Sequence, residues 1–275
     1  METVDVQGAS IPAIGFGTWT LKGEQAASLV QHALETGYRH IDTAALYDNE
    51  EAVGAGIRSS SVARDDIFLT TKVWHTDLAR GELQSAVRAS LDRLGVESVD
   101  LLLVHWPSKI IPLAETMEAL NDVAASGYTR YIGVSNFTVP LLSEAVKLSQ
   151  RPLICNQIEY HPMLNQDKVL KACSDHGMAA VSYCPLFRGG DLFTDSRVTS
   201  LAGKYNKSPA QIVLRWHLQQ PNVIAIPRST KPNRISENLD VFDFSLADEE
   251  MRSIDQLRSN GIRMCDFEFA PVWDG

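Results

Sequence analysis

Three apolar segments in the first half of the chain each run into a side chain capable of acid–base chemistry. Arg39-His40-Ile41-Asp42 ends in a carboxylate and is followed by Tyr47, Ile67 to Lys72 ends in an ammonium, and Val99 to Val104 leads into His105. Taken singly, each has an ordinary structural role: an acid before a helix caps it, a lysine after a strand is solvated, and a lone histidine pairs with a neighbour. All three nevertheless end consecutive apolar segments, and the carboxyl ends of parallel strands converge on one face, where α/β enzymes place their chemistry. A phenol of pKa about 10 is a poor acid at neutral pH. A neighbouring Lys72 would favour the phenolate and lower that value, Asp42 could hold Lys72, and His105 could hydrogen-bond a substrate oxygen. The four groups suit reduction of a carbonyl. No side chain delivers hydride, so that chemistry requires a cofactor.

The elements that must position these groups alternate along the chain. Val4–Val6 and Ile11–Ile14 flank Gly8-Ala9-Ser10 and predict a short hairpin. A compact strand over Gly15–Trp19 and a helix over Glu24–Thr36 follow. Strands are then expected at 39–42, 67–72, 99–104, 128–134, 154–158, 178–182 and 223–226. Helices are expected at 50–59, 78–94, 112–126, 139–148, 166–176, about 194–205, 208–220 and 231–239, with an additional C-terminal helix at 247–257. Eight short apolar strands separated by helices within 275 residues predict an α/β fold of the (β/α)8 TIM-barrel type, organised as one domain over residues 1–275. A doubly wound sheet is the competing architecture, but no strand leads into a GxGxxG turn; Gly15-Phe16-Gly17 lacks both the third glycine and the helix. Arg188-Gly189-Gly190-Asp191 is expected in a long loop at the active face, with Arg188 either solvated or drawing a carboxylate or phosphate.

The later strand ends carry groups suited to a cofactor. Ser135, Asn136 and Gln157 offer hydroxyl and amide groups that can pair with a carboxamide, and Tyr183 can stack on a planar ring. The tract Pro227 to Asn238 places cationic and hydroxyl groups, Arg228, Ser229, Thr230 and Arg234 among them, at a strand-to-helix junction that can bind phosphate.

Composition bounds the rest. A formal charge of −9 argues against a general nucleic-acid role, and 44% hydrophobic with 21% charged residues can fill a sizeable core. Cys155, Cys173, Cys184 and Cys265 show no metal-site spacing, so no metal is expected, and mostly buried free thiols fit a reducing compartment. METVDVQGAS is unlike a secretory leader, and no apolar run approaches the roughly 20 residues a membrane span needs. A cytoplasmic location with no membrane partner is the expectation.

The tract from Gly37 to Gly54, His105-Trp106-Pro107, Gly133 to Phe137 and the tract from Ile226 to Asn238 are jointly specific. Through them nearly the whole chain resembles the aldo-keto reductase superfamily, most closely its short bacterial 2,5-diketo-D-gluconate reductases. The resemblance implies NADPH-dependent reduction of aldehydes or ketones by a monomer, with Tyr47 as acid, Lys72 and Asp42 in support and His105 orienting substrate. It further implies a nicotinamide carboxamide near Ser135, Asn136 and Gln157, and Tyr183 under the ring. The adenosine side falls near Arg228, Ser229, Thr230, Arg234, Glu237 and Asn238. Trp19, Trp74 and Trp106 would line an apolar mouth. Arg228 stands where the family often has lysine, which leaves NADH use open. The short tail after Leu257 suggests an open pocket for small aldehydes, α-dicarbonyls or keto-sugar acids such as 2,5-diketo-D-gluconate. Two other readings remain: an NADPH-binding redox sensor with little turnover, and a barrel lyase using Lys72 as a Schiff-base amine.

Overall fold

The computed structural model describes residues 2–274; Met1 and Gly275, the ends of the expected 1–275 span, lie outside the described residues. Strands β1 (Thr3–Val6) and β2 (Ala9–Pro12) form the expected antiparallel hairpin, with Val6 opposite Ala9. Gln7 and Gly8 have φ of 48° and 81°, the positive pair that a type I′ turn requires, so Ala9 and Ser10 belong to the strand rather than to the turn. Val6, Ala9 and Ile11 pack with Phe68, Ile154 and Ala179, residues at or near the starts of three barrel strands. The hairpin thereby fills the amino-terminal mouth and leaves the opposite mouth for chemistry.

Eight parallel strands follow, each beside its predecessor: β3 (Phe16–Gly17), β4 (His40–Asp42), β5 (Phe68–Val73), β6 (Val99–Val104), β7 (Thr129–Ser135), β8 (Leu153–Glu159), β9 (Ala179–Tyr183) and β10 (Val223–Ala225). The sheet meets itself where Gly15 N donates to Ala225 O at 2.8 Å, Ala225 N to Ala13 O at 3.0 Å and Gly17 N to Pro227 O at 3.0 Å. A Cβ on Gly17 would lie 2.9 Å from the Ile226 carbonyl oxygen, so this seam closes only on a residue without a side chain. The structure is a (β/α)8 barrel.

The helices α1 (Gly23–Thr36), α2 (Glu50–Ser59), α3 (Glu82–Leu94), α4 (Leu113–Ala125), α5 (Val139–Leu148) and α6 (Asp167–Asp175) cover the outside. Helices α7 (Gly190–Thr194), α8 (Ser196–Tyr205) and α9 (Pro209–Leu218) follow β9, and α10 (Pro232–Leu239) follows β10. The additional C-terminal helix is α11 (Asp248–Asp255), continued by a 3-10 stretch at Gln256–Asn260. Ser208 caps α9 as expected, in a reciprocal box with Gln211.

Two expectations need correction. Helix α3 starts at Glu82 rather than at residue 78, because Gly81 has φ 84° and stands outside the helix. The loop at Arg188–Asp191 is shorter than expected: Gly190 already opens α7, and the helical region splits where Asp195 leaves helical geometry and its carboxylate caps Arg197 N at 2.9 Å. Among the described residues no helix is long and apolar enough to cross a membrane.

Candidate active site

Strand ends deliver the acid–base groups to one place. Asp42 is the last residue of β4, Lys72 stands next to last in β5, and His105 directly follows β6. Tyr47 closes a single 3-10 turn, Ala45–Tyr47, beyond β4, and Asp48 in left-handed geometry (φ 49°) turns the chain toward α2. Behind that turn Asn49 donates to Thr18 O and Leu21 O at 2.8 and 3.0 Å and accepts from Thr43 Oγ1 at 2.8 Å, which fixes the loop that carries Tyr47.

Lys72 is fully buried. Its Nζ donates to Asp42 Oδ1 at 2.6 Å, to Thr43 O at 2.8 Å and to Tyr47 Oη at 3.3 Å, so three partners take its three protons. Gln157 Nε2 donates to the second oxygen, Asp42 Oδ2, at 2.8 Å, which leaves both oxygens of this buried carboxylate hydrogen-bonded. The His105 ring stands edge-on to Tyr47, with centroids 5.5 Å apart, and its Nδ1 is buried with no hydrogen-bond partner among the described residues.

The electrostatics differ in one respect from the sequence expectation. Burial, aided by the negative charge of Asp42, pushes the Tyr47 phenol well above its ordinary value, whereas Lys72 was expected to lower it. Lys72 is itself lowered by burial, against the opposing pull of Asp42. Burial, with Lys72 and His75 beside it, holds His105 well below the ordinary imidazole range, so His105 is neutral at neutral pH. The corner thus contains a protonated phenol, an ammonium hydrogen-bonded to it, and an uncharged imidazole.

The next strand ends form a connected polar wall. Ser135 Oγ donates to Gln157 O at 2.9 Å, Asn136 Nδ2 to His105 O and to Ser135 Oγ at 3.0 Å each, and Tyr183 Oη to Asn136 Oδ1 at 2.8 Å. Asn136 has φ 64°, which turns it out of the β7 path toward its neighbours. Gln157, expected against a ligand, therefore also holds Asp42 from behind.

Arg228 and Thr230 are exposed beyond β10, with Arg228 Nη2 bonded to Thr20 Oγ1; Ser229 Oγ accepts from Lys231 N at 3.0 Å just before α10. Arg234 is exposed on α10, Glu237 half-buried and Asn238 buried. The structure brings Arg228 to the mouth and sets Arg234, Glu237 and Asn238 on the helix beside it.

Trp19, at 41% exposed, carries the Arg188 guanidinium 5.3 Å from its ring centre, so Arg188 is packed on an aromatic face rather than merely solvated. Trp74 lies 5.2 Å from His105, edge-on. Trp106 is only 4% exposed, because the C-terminal tail covers it: Phe267, Phe269 and Trp273 stand 5.8, 5.2 and 6.0 Å from its ring. Phe269 also reaches Trp74 at 5.1 Å and His75 at 4.9 Å. These tail aromatics stand beside Trp74 and Trp106, so the short tail does contribute to the wall of the mouth.

Sequence reasoning missed Phe267, Phe269 and Trp273 as wall residues; the density of aromatics in the last nine residues was the available signal. It also missed Glu159. This buried carboxylate at the end of β8 accepts Met264 N at 2.6 Å, Cys265 N at 2.8 Å and His161 Nε2 at 3.0 Å, and so anchors the start of the tail. An acid inside an apolar strand end, two residues from a histidine, was its only trace.

Known proteins give the same outline. The model of the aldo/keto reductase family matches residues 13–259. The chain is 42% identical over 254 residues to the glyoxal reductase of Bacillus subtilis (strain 168), covering 92% of this chain and 91% of that protein. It is 41% identical over 254 residues to the 9,11-endoperoxide prostaglandin H2 reductase of Trypanosoma cruzi (strain CL Brener), covering 91% and 89%. The crystal structure of a candidate 2,5-diketo-D-gluconic acid reductase B superposes with a TM-score of 0.97 at 41% identity, over 100% of this chain and 98% of that one. That of a Bombyx mori aldo-keto reductase in complex with NADP gives 0.89 at 35% identity, over 97% and 96%.

Proposed function

The chain belongs to the aldo/keto reductase family and is an oxidoreductase of that type; from that premise we propose that it reduces small aldehydes, α-dicarbonyls or keto-sugar acids such as 2,5-diketo-D-gluconate to alcohols at the expense of NADPH. The observation that carries the reading is the Asp42–Lys72–Tyr47 chain, 2.6 Å and then 3.3 Å, directed at the face where His105 and Trp74 stand.

The residues fit the cofactor. Ser135, Asn136 and Gln157 are buried amide and hydroxyl groups with the donor and acceptor complement of a carboxamide, and Tyr183 adds a ring at the same wall. Arg228 and Arg234 are exposed cations at the junction before and within α10, suited to phosphate oxygens. Arg228 is a planar, bidentate donor, which supports NADPH while allowing NADH. Reduced nicotinamide, when bound, supplies the hydride.

The chain's own groups do the remainder. His105, uncharged, donates one hydrogen bond to the substrate oxygen and orients the carbonyl. Tyr47 keeps its proton until negative charge develops on that oxygen and then releases it from Oη, while the Lys72 ammonium stabilises the phenolate left behind. Asp42 holds Lys72 charged and in place, and Gln157 holds Asp42. The aromatic wall excludes water from the reacting oxygen. The lyase reading is disfavoured because Lys72 is fully buried and Asp42 Oδ1, Thr43 O and Tyr47 Oη surround its Nζ, which leaves a carbonyl no open approach to the nitrogen.

The test follows nicotinamide absorbance with NADPH, and separately NADH, against methylglyoxal, 2,5-diketo-D-gluconate and an aromatic aldehyde. Consumption with NADPH, faster than with NADH, is expected. Cofactor that binds but is oxidised by none of the carbonyls would support the sensor reading, and a borohydride-trapped adduct at Lys72 without nicotinamide would establish the lyase.

A further inference from the structure

Four cysteines lie in the chain, and their surroundings separate them. Cys155 and Cys173 are buried among apolar residues of the barrel and its helical jacket; burial raises both thiols, that of Cys173 to about 12, and such thiols are inert. Cys184 and Cys265 occupy the candidate site instead.

Backbone geometry brings the second pair together from distant parts of the chain. Tyr183 pairs with Glu159 in the β8–β9 register, and Cys184 follows it at once with φ 49°, turning out of the strand. On the neighbouring strand the Glu159 carboxylate binds Met264 N and Cys265 N at 2.6 and 2.8 Å, and Ile262 N is held by Met163 O at 2.9 Å. The tail is therefore clamped against the end of β8 beside the exit of β9. Cys265 packs with Tyr183 and Trp106 in one apolar cluster, which sets it beside the residue that follows Tyr183 in the chain, Cys184.

The two sulfurs are not equivalent. Cys184 is half-buried and Cys265 is 8% exposed. The Cys265 thiol, with the Arg188 guanidinium in support, holds the Cys184 thiol below its ordinary range against burial, while Cys184 in turn raises Cys265. One sulfur is more accessible and more acidic, and the other is a protonated neighbour.

We propose that Cys184 and Cys265 are a reactive dithiol that a hydroperoxide converts to a disulfide, tying the C-terminal wall of the pocket covalently to the end of β9. Cys184 Sγ attacks an oxygen of hydrogen peroxide, the O–O bond breaks, and one water leaves with a sulfenic acid on Cys184. Cys265 Sγ then attacks Cys184 Sγ, the S–O bond breaks, the hydroxyl takes the Cys265 proton, and a second water leaves. Two thiols and one peroxide become one disulfide and two waters, with two electrons passing from sulfur to oxygen. The tail aromatics Phe267 and Phe269 lie two and four residues beyond Cys265, so the bond would fix the wall that stands against Trp74 and Trp106.

The experiment treats the folded, reduced protein with hydrogen peroxide, quenches with an alkylating reagent, and reads intact mass and a non-reducing digest. The expected product has lost two hydrogens, carries label only on Cys155 and Cys173 after denaturation, and yields a Cys184–Cys265 cross-linked peptide that dithiothreitol separates. Cys265→Ser should leave a Cys184 sulfenic acid that dimedone traps, and Cys184→Ser should leave Cys265 reduced. Four free thiols after treatment of the parent, a cross-link involving Cys155 or Cys173, or oxygen added to Cys184 without a cross-link would each overturn the proposal. None of these readings depends on turnover, so a failure here is distinct from a failure of the reductase reading.

Discussion

Tyr47 is the residue on which the proposed chemistry turns, because it alone combines an acidic proton with a hydrogen bond to the buried Lys72. Replacing it with phenylalanine removes the proton and keeps the ring that stands edge-on to His105. Tyr47→Phe is therefore expected to lower kcat by roughly 10²–10⁴-fold, the usual worth of a positioned general acid, with the dissociation constant for NADPH, read by fluorescence titration, unchanged. Turnover at the parent rate would remove Tyr47 from the acid role. At this scale the sequence was informative about residue types and their places at strand ends, because an apolar run that stops at Asp42, Lys72 or His105 is visible as text. The direction of the Tyr47 shift was not visible. It depends on how deeply the phenol is sunk and on Asp42 as a second neighbour of Lys72, quantities that exist only once β4 and β5 stand side by side.

The element that most alters the pocket has no regular secondary structure. Residues 262–274 run across the carboxyl end of the barrel as a strap, held at Met163 O and Glu159 at one end, at Lys109 Nζ through Glu268 O at 2.6 Å, and at its far end by Asp274, which accepts Val139 N at 3.0 Å. Arg263 lies 3.8 Å from the Trp273 ring centre and folds the strap on itself. Burial pushes the Glu159 carboxyl up, but hydrogen bonds from His161 and from the two tail amides outweigh it and hold the group below the ordinary range. Glu159→Gln puts an amide N–H where an acceptor is needed, so one tail amide loses its partner, at a cost of roughly 1–3 kcal/mol. The expected result is a severalfold higher KM for an aromatic aldehyde with kcat and NADPH binding little changed, partly recovered in Glu159→Asp. An unchanged KM would show that the strap is held without Glu159. Helices with caps and periodic apolar faces, such as α9 behind Ser208, could be read from sequence. The strap could not, since it follows no period and its anchors come from β8, α5 and the β6–α4 connection.

For the whole molecule, barrel closure joins Ala13–Gly17 to Ala225–Pro227, and no local pattern announces that contact; strand count and chain length carried the inference. The packing of barrel and helices also determines how the molecule responds to acid. The closed barrel and the helices packed on it bury three imidazoles: burial lowers His40 and His217 to about 4 and takes His105 well below its ordinary value. An unfolded chain binds those protons near pH 6.5, whereas the folded chain binds them only near or below pH 4, so between these limits the unfolded state holds more protons. Stability is therefore fully present above about pH 6.5 and falls as pH drops through the folded values, by roughly 3 kcal/mol for each of His40 and His217. The net charge of −9 opposes this, because acid relieves its repulsion, but that contribution acts between exposed charges and is screened by salt, while the imidazole contribution is local and is not. Urea unfolding at constant ionic strength should accordingly show midpoints that decline steadily from about pH 7 to about pH 4.5. His217→Gln, which removes one of these sites, should flatten that decline. A midpoint independent of pH over this interval would mean that the imidazoles take up protons at the same pH in the folded and unfolded chain, so that burial does not lower them.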